Sequence, residues 1–151
     1  MISFATLDEL RDAAGRHLGW TDWIDITQER VNLFADATGD HQWIHVDVDR
    51  AKAESPFGGP VAHGFLTLSL SNLFLPQLIE VRGASAGVNY GTGKVRFPSP
   101  VPVGCRVRGG AVITGVDDIP SGVQTTIAIT VQVEGQEKPA CVIESISRWL
   151  A

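Results

Sequence analysis

The sequence predicts an α+β fold in which one long apolar helix is enclosed by a curved antiparallel sheet. The first observation is a stretch at residues 65–79 that is apolar on nearly every side, and such a helix must be surrounded by other elements. The second is that the chain after residue 80 consists of strand-like segments separated by Gly and Pro. Helical signals therefore dominate the first half and strands the second.

Length and composition fit a folded enzyme or binding domain. The 151 residues predict one domain over 1–151, and 44% apolar with 19% charged residues is a globular composition. Twelve basic against seventeen acidic residues give a net charge of −5 without any basic run, which disfavours nucleic acid as a partner. The apolar stretch is too short and too interrupted by polar residues and Pro76 for membrane insertion.

The two cysteines and the N-terminal sequence indicate the cellular compartment to expect. Cys105 and Cys141 form neither a Cys-x-x-Cys pair nor part of a histidine cluster, so the sequence predicts no zinc site and no disulfide framework. No secretory signal is visible at the N-terminus. A reduced, cytoplasmic protein is the expectation, with both thiols acting as small core side chains.

The first half of the chain is predicted to contain two helices joined by a strand. Apolar residues at helical spacing predict a helix over 7–18, starting after Thr6 and stopping at Gly19. Alternation at 20–26 indicates a short strand. Thr27 is a suitable N-cap for a second helix, which stops at Gly39 and leaves a loop behind it.

The remaining elements follow the Gly and Pro punctuation. A short helix is predicted at 47–53, a turn at 55–60, and the long apolar helix from Gly64, with Pro76 kinking or ending it. Alternation such as that of Val123 to Val133 predicts half-covered antiparallel strands. The predicted strands cover residues 80–90, 93–97, 104–116, 122–134 and 139–150.

The loop after Gly39 contains the best candidates for chemistry. Asp40 and His45 flank it, and a carboxylate with an imidazole is a pair suited to holding a water molecule and moving protons near neutral pH. The same spacing also fits a capping aspartate and a satisfied structural histidine.

A glycine opens the apolar helix. The first N–H groups of a helix lack internal partners, so a carbonyl oxygen gaining negative charge would be stabilised at Gly64. A steric need for glycine at a tight entry into the helix is the alternative.

Four motifs follow one another along most of the chain, namely Gly39-Asp40-x-x-x-Ile44-His45, Ala62-His63-Gly64-Phe65, Val88-Asn89-Tyr90-Gly91 and the segment from Val95 to Val101. In this order they resemble the MaoC-like (R)-specific enoyl-thioester hydratases, also called hydratase 2. The resemblance is greatest to the single-domain branch named after nodulation protein N and to the mycobacterial 3-hydroxyacyl-thioester dehydratases.

The resemblance implies a hot-dog fold, a homodimer and hydro-lyase chemistry without a metal or organic cofactor. Asp40 and His45 would hold a water that adds to a trans-2-enoyl thioester of coenzyme A or acyl carrier protein, giving the (3R)-3-hydroxyacyl thioester. The N–H of Gly64 would bind the thioester oxygen.

Four further residues are candidates for contact with substrate, namely Asn89, Tyr90, His63 and Trp43. Asn89 fits a role in bonding Asp40 or substrate as well as it fits a plain strand-end turn. His63 is a neighbour of Gly64. Trp43 follows Gln42 where the family usually has Asn-Pro, and its bulk would reshape the pocket mouth.

Two other functions remain open at this stage. A hot-dog thioesterase would also polarise the thioester carbonyl at a helix N-terminus, but such enzymes use a carboxylate from the central helix, and residues 64–79 contain no Asp or Glu. The second alternative to the hydratase is a non-catalytic module that binds acyl thioesters. Turnover with or without release of free thiol distinguishes the three.

Overall fold

The computed structural model describes residues 1–151, and its main feature is a six-stranded antiparallel sheet with the strand order β2-β6-β7-β8-β5 and with β3 also paired to β6. Long-range pairing of β6 with β7 and of β7 with β8 makes the centre of this sheet. The strands are β2 (His17–Trp20), β3 (Ile24–Asp25), β5 (Ala86–Arg96), β6 (Arg106–Ile119), β7 (Gly122–Val133) and β8 (Cys141–Leu150).

The N-terminal residues join the rest of the chain through a small parallel pair. Strand β1 (Ile2–Phe4) pairs with β4 (Ile79–Val81), which directly follows the central helix. Helix α1 (Leu7–Arg11) starts as predicted, because the side chain of Thr6 accepts a hydrogen bond from the N–H of Glu9.

The prediction of a helix over 7–18 is wrong beyond Arg11. Gly15 adopts a positive φ of 86°, which the interior of a helix cannot contain. Leu18 is instead a buried residue of β2, opposite β6. The strand predicted at 20–26 is not continuous, because Trp20 belongs to β2 and only Ile24 and Asp25 form the separate strand β3. Pairing with β6 outweighs the local helical spacing.

Helix α2 (Gln28–Thr38) matches its prediction at both ends. Thr27 accepts a hydrogen bond from the N–H of Arg30, and Gly39 ends the helix with φ of 81°. Helix α4 (Val48–Glu54) matches the short helix predicted nearby. The one-turn helix α3 (Trp43–Val46) between them was expected to be loop.

The central helix consists of two segments, α5 (Gly64–Ser69) and α6 (Ser71–Leu78). Leu70 between them keeps right-handed helical angles, and its N–H still donates to Leu66, so the axis continues through the junction. Pro76 lies inside α6, and the interruption falls at Leu70 rather than at Pro76. None of the helices is long and apolar enough to span a membrane.

The predicted strand at 80–90 divides in two, and its second part continues through the strand predicted at 93–97. Strand β5 remains paired with β8 along its length because two register shifts, one between Asn89 and Gly91 and one between Thr92 and Val95, absorb the mismatch. The strands predicted near 104–116, 122–134 and 139–150 are confirmed as β6, β7 and β8.

The core lies between the central helix and the concave face of the sheet. Alternate residues of β7 are buried, as the two-residue period predicts. Phe74 of α6 is fully buried above Gly109 of β6, where a Cβ atom would come within 2.5 Å of the phenyl ring. The helix therefore lies directly on the sheet, which is the predicted hot-dog arrangement.

Candidate active site

The Asp40–His45 segment is placed by the end of α2 and by α3. Gly39 turns the chain out of α2, so Asp40 follows at the helix end and α3 begins three residues later. The α3 turn directs His45 inward, leaving it 7% exposed, whereas Asp40 is exposed. Asp40 also accepts a hydrogen bond from the N–H of Gln42 at 3.3 Å, which stabilises the loop.

The predicted pair is brought together, and a third side chain joins it. Asp40, His45 and His63 each contribute a carboxylate oxygen or a ring nitrogen, and these atoms all lie within 4.8 Å of one another. His45 and His63 stack with their ring centroids 3.9 Å apart. The chain therefore assembles one carboxylate and two imidazoles from two segments separated in sequence.

His45 is held by one ring nitrogen. Its Nδ1 lies 2.6 Å from the carbonyl oxygen of Val61, and because a carbonyl only accepts hydrogen bonds, Nδ1 must donate. Its Nε2 has no hydrogen-bond partner in the chain, while the ring lines a cavity. In the neutral ring, Nε2 is thus a free acceptor on the cavity side.

The pKa of His45 is lowered from its ordinary value. Burial is the largest cause, since it penalises the charged imidazolium, and the nearby ring of His63 acts in the same direction. The Val61 carbonyl and the Asp40 carboxylate oppose the shift. The net effect keeps His45 neutral, and so able to accept a proton, at neutral pH and somewhat below.

His63 is the N-cap residue of α5 and is 3% exposed. Its Nε2 donates to the backbone carbonyl of Asp40 at 2.9 Å, and its Nδ1 is buried without a partner. The ring lies between Phe34 of α2, whose centroid is 5.0 Å away, and His45 of α3. His63 does not line the cavity, so its contact with substrate stays a prediction.

Gly64 begins α5 at the wall of a cavity of about 310 Å³. As the first helical residue its N–H has no acceptor within the helix. A Cβ atom here would lie 3.3 Å from the ring of Phe97, which also lines the cavity. The cavity is lined by Ile44, His45, Phe57, Val61, Ala62, Gly64, Thr67, Phe97, Pro98, Ser99, Pro100, Val101 and Ala140.

The other three predicted substrate contacts lie elsewhere within the single chain. Trp43 is half-buried under the guanidinium of Arg50, 4.3 Å from the ring centroid, and does not line the cavity. Asn89 lines a second cavity of about 320 Å³ beside α6. Tyr90 is exposed and lies against the guanidinium of Arg148. The structure thus brings Asp40, His45 and Gly64 to one region but not these residues.

Sequence reasoning missed several groups that build the site. The carbonyl of Val61 fixes His45, and backbone groups carry no sequence signal. Gln28 donates to the carbonyl of His45 at 2.7 Å from the start of α2. Phe57 and Phe97 form apolar cavity walls. Phe97 lies in the motif from Val95 to Val101, but nothing in that motif indicated a cavity wall.

This arrangement can orient a water molecule and polarise a carbonyl group. The carboxylate of Asp40 and the free Nε2 of His45 are both acceptors for water, and the N–H at the start of α5 is a donor for an oxygen gaining negative charge. Asp40, His45 and His63 are also the group that could hold a metal ion, each histidine keeping one ring nitrogen for it.

Comparison with known proteins agrees with this architecture. Residues 9–135 match the MaoC-like domain family. The chain is 55% identical, over 100% of both chains, to 3-hydroxyacyl-thioester dehydratase Z of Mycobacterium tuberculosis. It is 43% identical to nodulation protein N of Rhizobium meliloti, over 97% of this chain and 89% of that protein.

A solved structure extends the comparison to the fold. An R-hydratase from Pseudomonas aeruginosa superposes with a TM-score of 0.75 at 20% identity, covering 98% of this chain and 92% of that one. At that identity the likeness concerns the fold, whereas the family match spans most of the sequence. The chain therefore belongs to the MaoC-like domain family.

Proposed function

We propose that this protein catalyses the reversible addition of water to trans-2-enoyl thioesters, giving (3R)-3-hydroxyacyl thioesters, as a hydro-lyase of fatty-acid metabolism. The observation that carries the proposal is the convergence of Asp40 and His45 next to the cavity that Gly64 lines. A full-length relative bears the name 3-hydroxyacyl-thioester dehydratase, which supports the same reaction.

The reaction requires a positioned water molecule, stabilisation of the negative charge on the thioester oxygen, and a proton for C2. Asp40 and the free Nε2 of His45 hold the water, and the pair takes a proton from it as its oxygen attacks C3. Negative charge then develops on the thioester oxygen, where the N–H of Gly64 stabilises it. The pair then delivers one proton to C2, so it returns to its starting protonation state and the step balances. None of these steps needs a cofactor.

The substrate side of the proposal is an acyl thioester of coenzyme A or of acyl carrier protein. The cavity walls next to His45 are largely apolar, with Phe57, Val61 and Phe97 among them, which suits an acyl chain. Trp43, Asn89, Tyr90 and His63 remain proposed substrate contacts.

We also propose that residues 1–151 act as one domain and that two copies form a homodimer. One core cluster of 24 buried residues extends from Phe4 to Ile143, which supports a single unit. Strand β5 is an edge strand that is exposed over most of its length, and edges of this kind pair readily with another chain. Light scattering of the purified protein tests the dimer. The cytoplasmic location expected from the sequence remains a proposal.

The test of the reaction follows the ultraviolet absorbance of short and medium trans-2-enoyl-CoA substrates, together with a thiol-release assay. We expect loss of enoyl absorbance without free thiol. Asp40→Asn and His45→Gln should each lower the rate by about 10²-fold or more, the scale for removing a positioned acid or base.

A matched control is available in Asp36→Asn. Asp36 is another exposed aspartate of the same region, but its carboxylate pairs with His41 and it is not part of the group formed by Asp40, His45 and His63. Its variant should retain the wild-type rate. Release of free thiol would replace the proposal with thioester hydrolysis. Binding of enoyl-CoA without any turnover would replace it with a binding module.

A further inference from the structure

His63 contacts three parts of the site without reaching the cavity. It packs between Phe34 and His45, and its Nε2 donates to the backbone carbonyl of Asp40 across 23 positions in sequence. This bond joins the start of the central helix to the loop that carries the carboxylate. Any shift of His63 or of the Asp40 backbone would change the separation between Asp40 and His45.

Asp40 makes few other hydrogen bonds that hold the loop in place. The N–H of Asp40 lies 3.5 Å from Thr38 Oγ1, at the limit for a hydrogen bond, and the Asp40 side chain accepts from Gln42 only two residues ahead. Both of these contacts are local and would move with the loop. The bond from His63 is therefore the contact that fixes the Asp40 backbone relative to the central helix.

The chemistry of the ring indicates that packing alone does not explain a histidine here. Its Nδ1 is buried without a hydrogen-bond partner, which is unfavourable compared with an apolar ring of similar size. A phenyl ring would fill the same space between Phe34 and His45 and would bury no unpaired nitrogen. What a phenyl ring lacks is the donor to the Asp40 carbonyl.

We propose that His63 is a positioning residue, which sets the distance between the Asp40 carboxylate and His45 by donating its Nε2 hydrogen to the Asp40 carbonyl. It acts through Asp40 and does not itself exchange a proton with substrate. The inference rests on the proposed hydration, since it concerns the same pair. Displacing a catalytic group by about 1 Å is enough to slow a reaction by about 10²-fold.

Two substitutions separate the donor from the ring. His63→Gln keeps an N–H donor near the Nε2 position but removes the ring, and His63→Phe keeps the ring but removes the donor. If His63 positions Asp40, the phenylalanine variant should lose about 10–100-fold in kcat with KM within about twofold, while the glutamine variant keeps most of the activity. A thermal melt of His63→Phe should show a single cooperative transition, so that its loss of activity is not a loss of folding.

A purely packing role makes the opposite prediction, with His63→Phe active and His63→Gln impaired, and that order would overturn the inference. A second measurement combines His63→Phe with Asp40→Asn. Because His63 acts through Asp40, the double variant should be no slower than Asp40→Asn alone, whereas additive losses would contradict the proposal.

The same experiments distinguish failure of the proposed role of His63 from failure of the proposed hydration. If the wild-type protein leaves enoyl-CoA unchanged, the proposed hydration fails. If the wild type is active and Asp40→Asn is not, but His63→Phe and His63→Gln behave alike, the function stands and the role of His63 fails.

Discussion

The Nδ1 atom of His45 lies 2.6 Å from the carbonyl oxygen of Val61, so the backbone just before the central helix determines which ring nitrogen faces the cavity. The donor of this bond is on the side chain and the acceptor is a peptide group. Replacing Val61 by another apolar residue therefore leaves the bond in place, whereas moving the backbone breaks it. The orientation of His45 is thus a property of the fold.

The pH dependence of the reaction should reflect the lowered pKa of His45. Burial favours the neutral ring, so the midpoint of the acid limb of the kcat/KM profile should lie below pH 6.5, which is the ordinary pKa of histidine. Initial rates between about pH 4.5 and 8 measure it. An acid side centred above pH 6.5 would contradict the structure.

Stability should follow the same shift. The unfolded chain binds a proton at His45 more readily than the folded chain does. The contribution of the neutral His45 to the free energy of unfolding is therefore fully present above pH 6.5 and is lost as pH falls through the lowered pKa. Urea unfolding of wild type and His45→Gln across this range measures the effect. The wild type should lose more stability than the variant on acidification.

Gly64→Ala tests the wall of the cavity at the start of α5. The added methyl group would lie 3.3 Å from the Phe97 ring and would narrow the space over the Gly64 N–H. We expect turnover to fall by about 10-fold or more with little change in melting temperature, since Phe97 is 43% exposed and can yield.

The matched control for that substitution is Gly59→Ala. A Cβ atom at Gly59 meets nothing within 4 Å, and its φ is not positive. This variant should keep wild-type rates in the hydration assay. Equal rates for both alanine variants would show that the space over Gly64 is not used by substrate.

Gly109→Ala should destabilise the fold without a direct effect on the site. Its methyl group would come within 2.5 Å of the Phe74 ring, so the central helix would have to move away from β6. Overpacking of a core costs about 1–3 kcal/mol. Urea unfolding measures the loss, and Gly115→Ala on the same strand is the control, because its nearest neighbour, Thr126, is at an ordinary 3.7 Å. Similar midpoints for the two variants would argue against close contact of helix and sheet.

The two thiols should differ in reactivity. Burial raises the pKa of Cys141 to about 11, and it also raises the pKa of the half-buried Cys105 thiol. Titration with a thiol-specific disulfide reagent at pH 8 should therefore label Cys105 first and Cys141 only after unfolding. Cys105→Ser and Cys141→Ala assign the signals, and rapid native labelling in Cys105→Ser would refute the buried position of Cys141.

Helix caps and hydrophobic alternation in the sequence predicted those elements whose structure is determined by neighbouring residues. Thr27 and Gly39 bound α2 in the sequence as they do in the structure, and they place the loop that carries Asp40. Alternation over β7 identified its buried face, because that strand has partners on both sides and the central helix beneath it.

Contacts between distant segments explain what the sequence did not reveal. Leu18 has helical spacing but is buried in a strand, because β2 pairs with β6 and Leu18 packs into the core. The bulges of β5 depend on the register of β8. In the site, the pair Asp40 and His45 was found from one segment, whereas the hydrogen bonds from His63 to Asp40 and from His45 to Val61 exist only once the fold has formed.

The position of the central helix in the chain has a consequence for synthesis on the ribosome. Its apolar surface, including Phe74, packs against β6 and β8, both of which are made after it. At about 5–20 residues per second, these strands emerge seconds later, and until then the helix has no sheet to lie on. A nascent chain that ends before Arg106 would expose this surface, so we expect such fragments to aggregate or to bind chaperones.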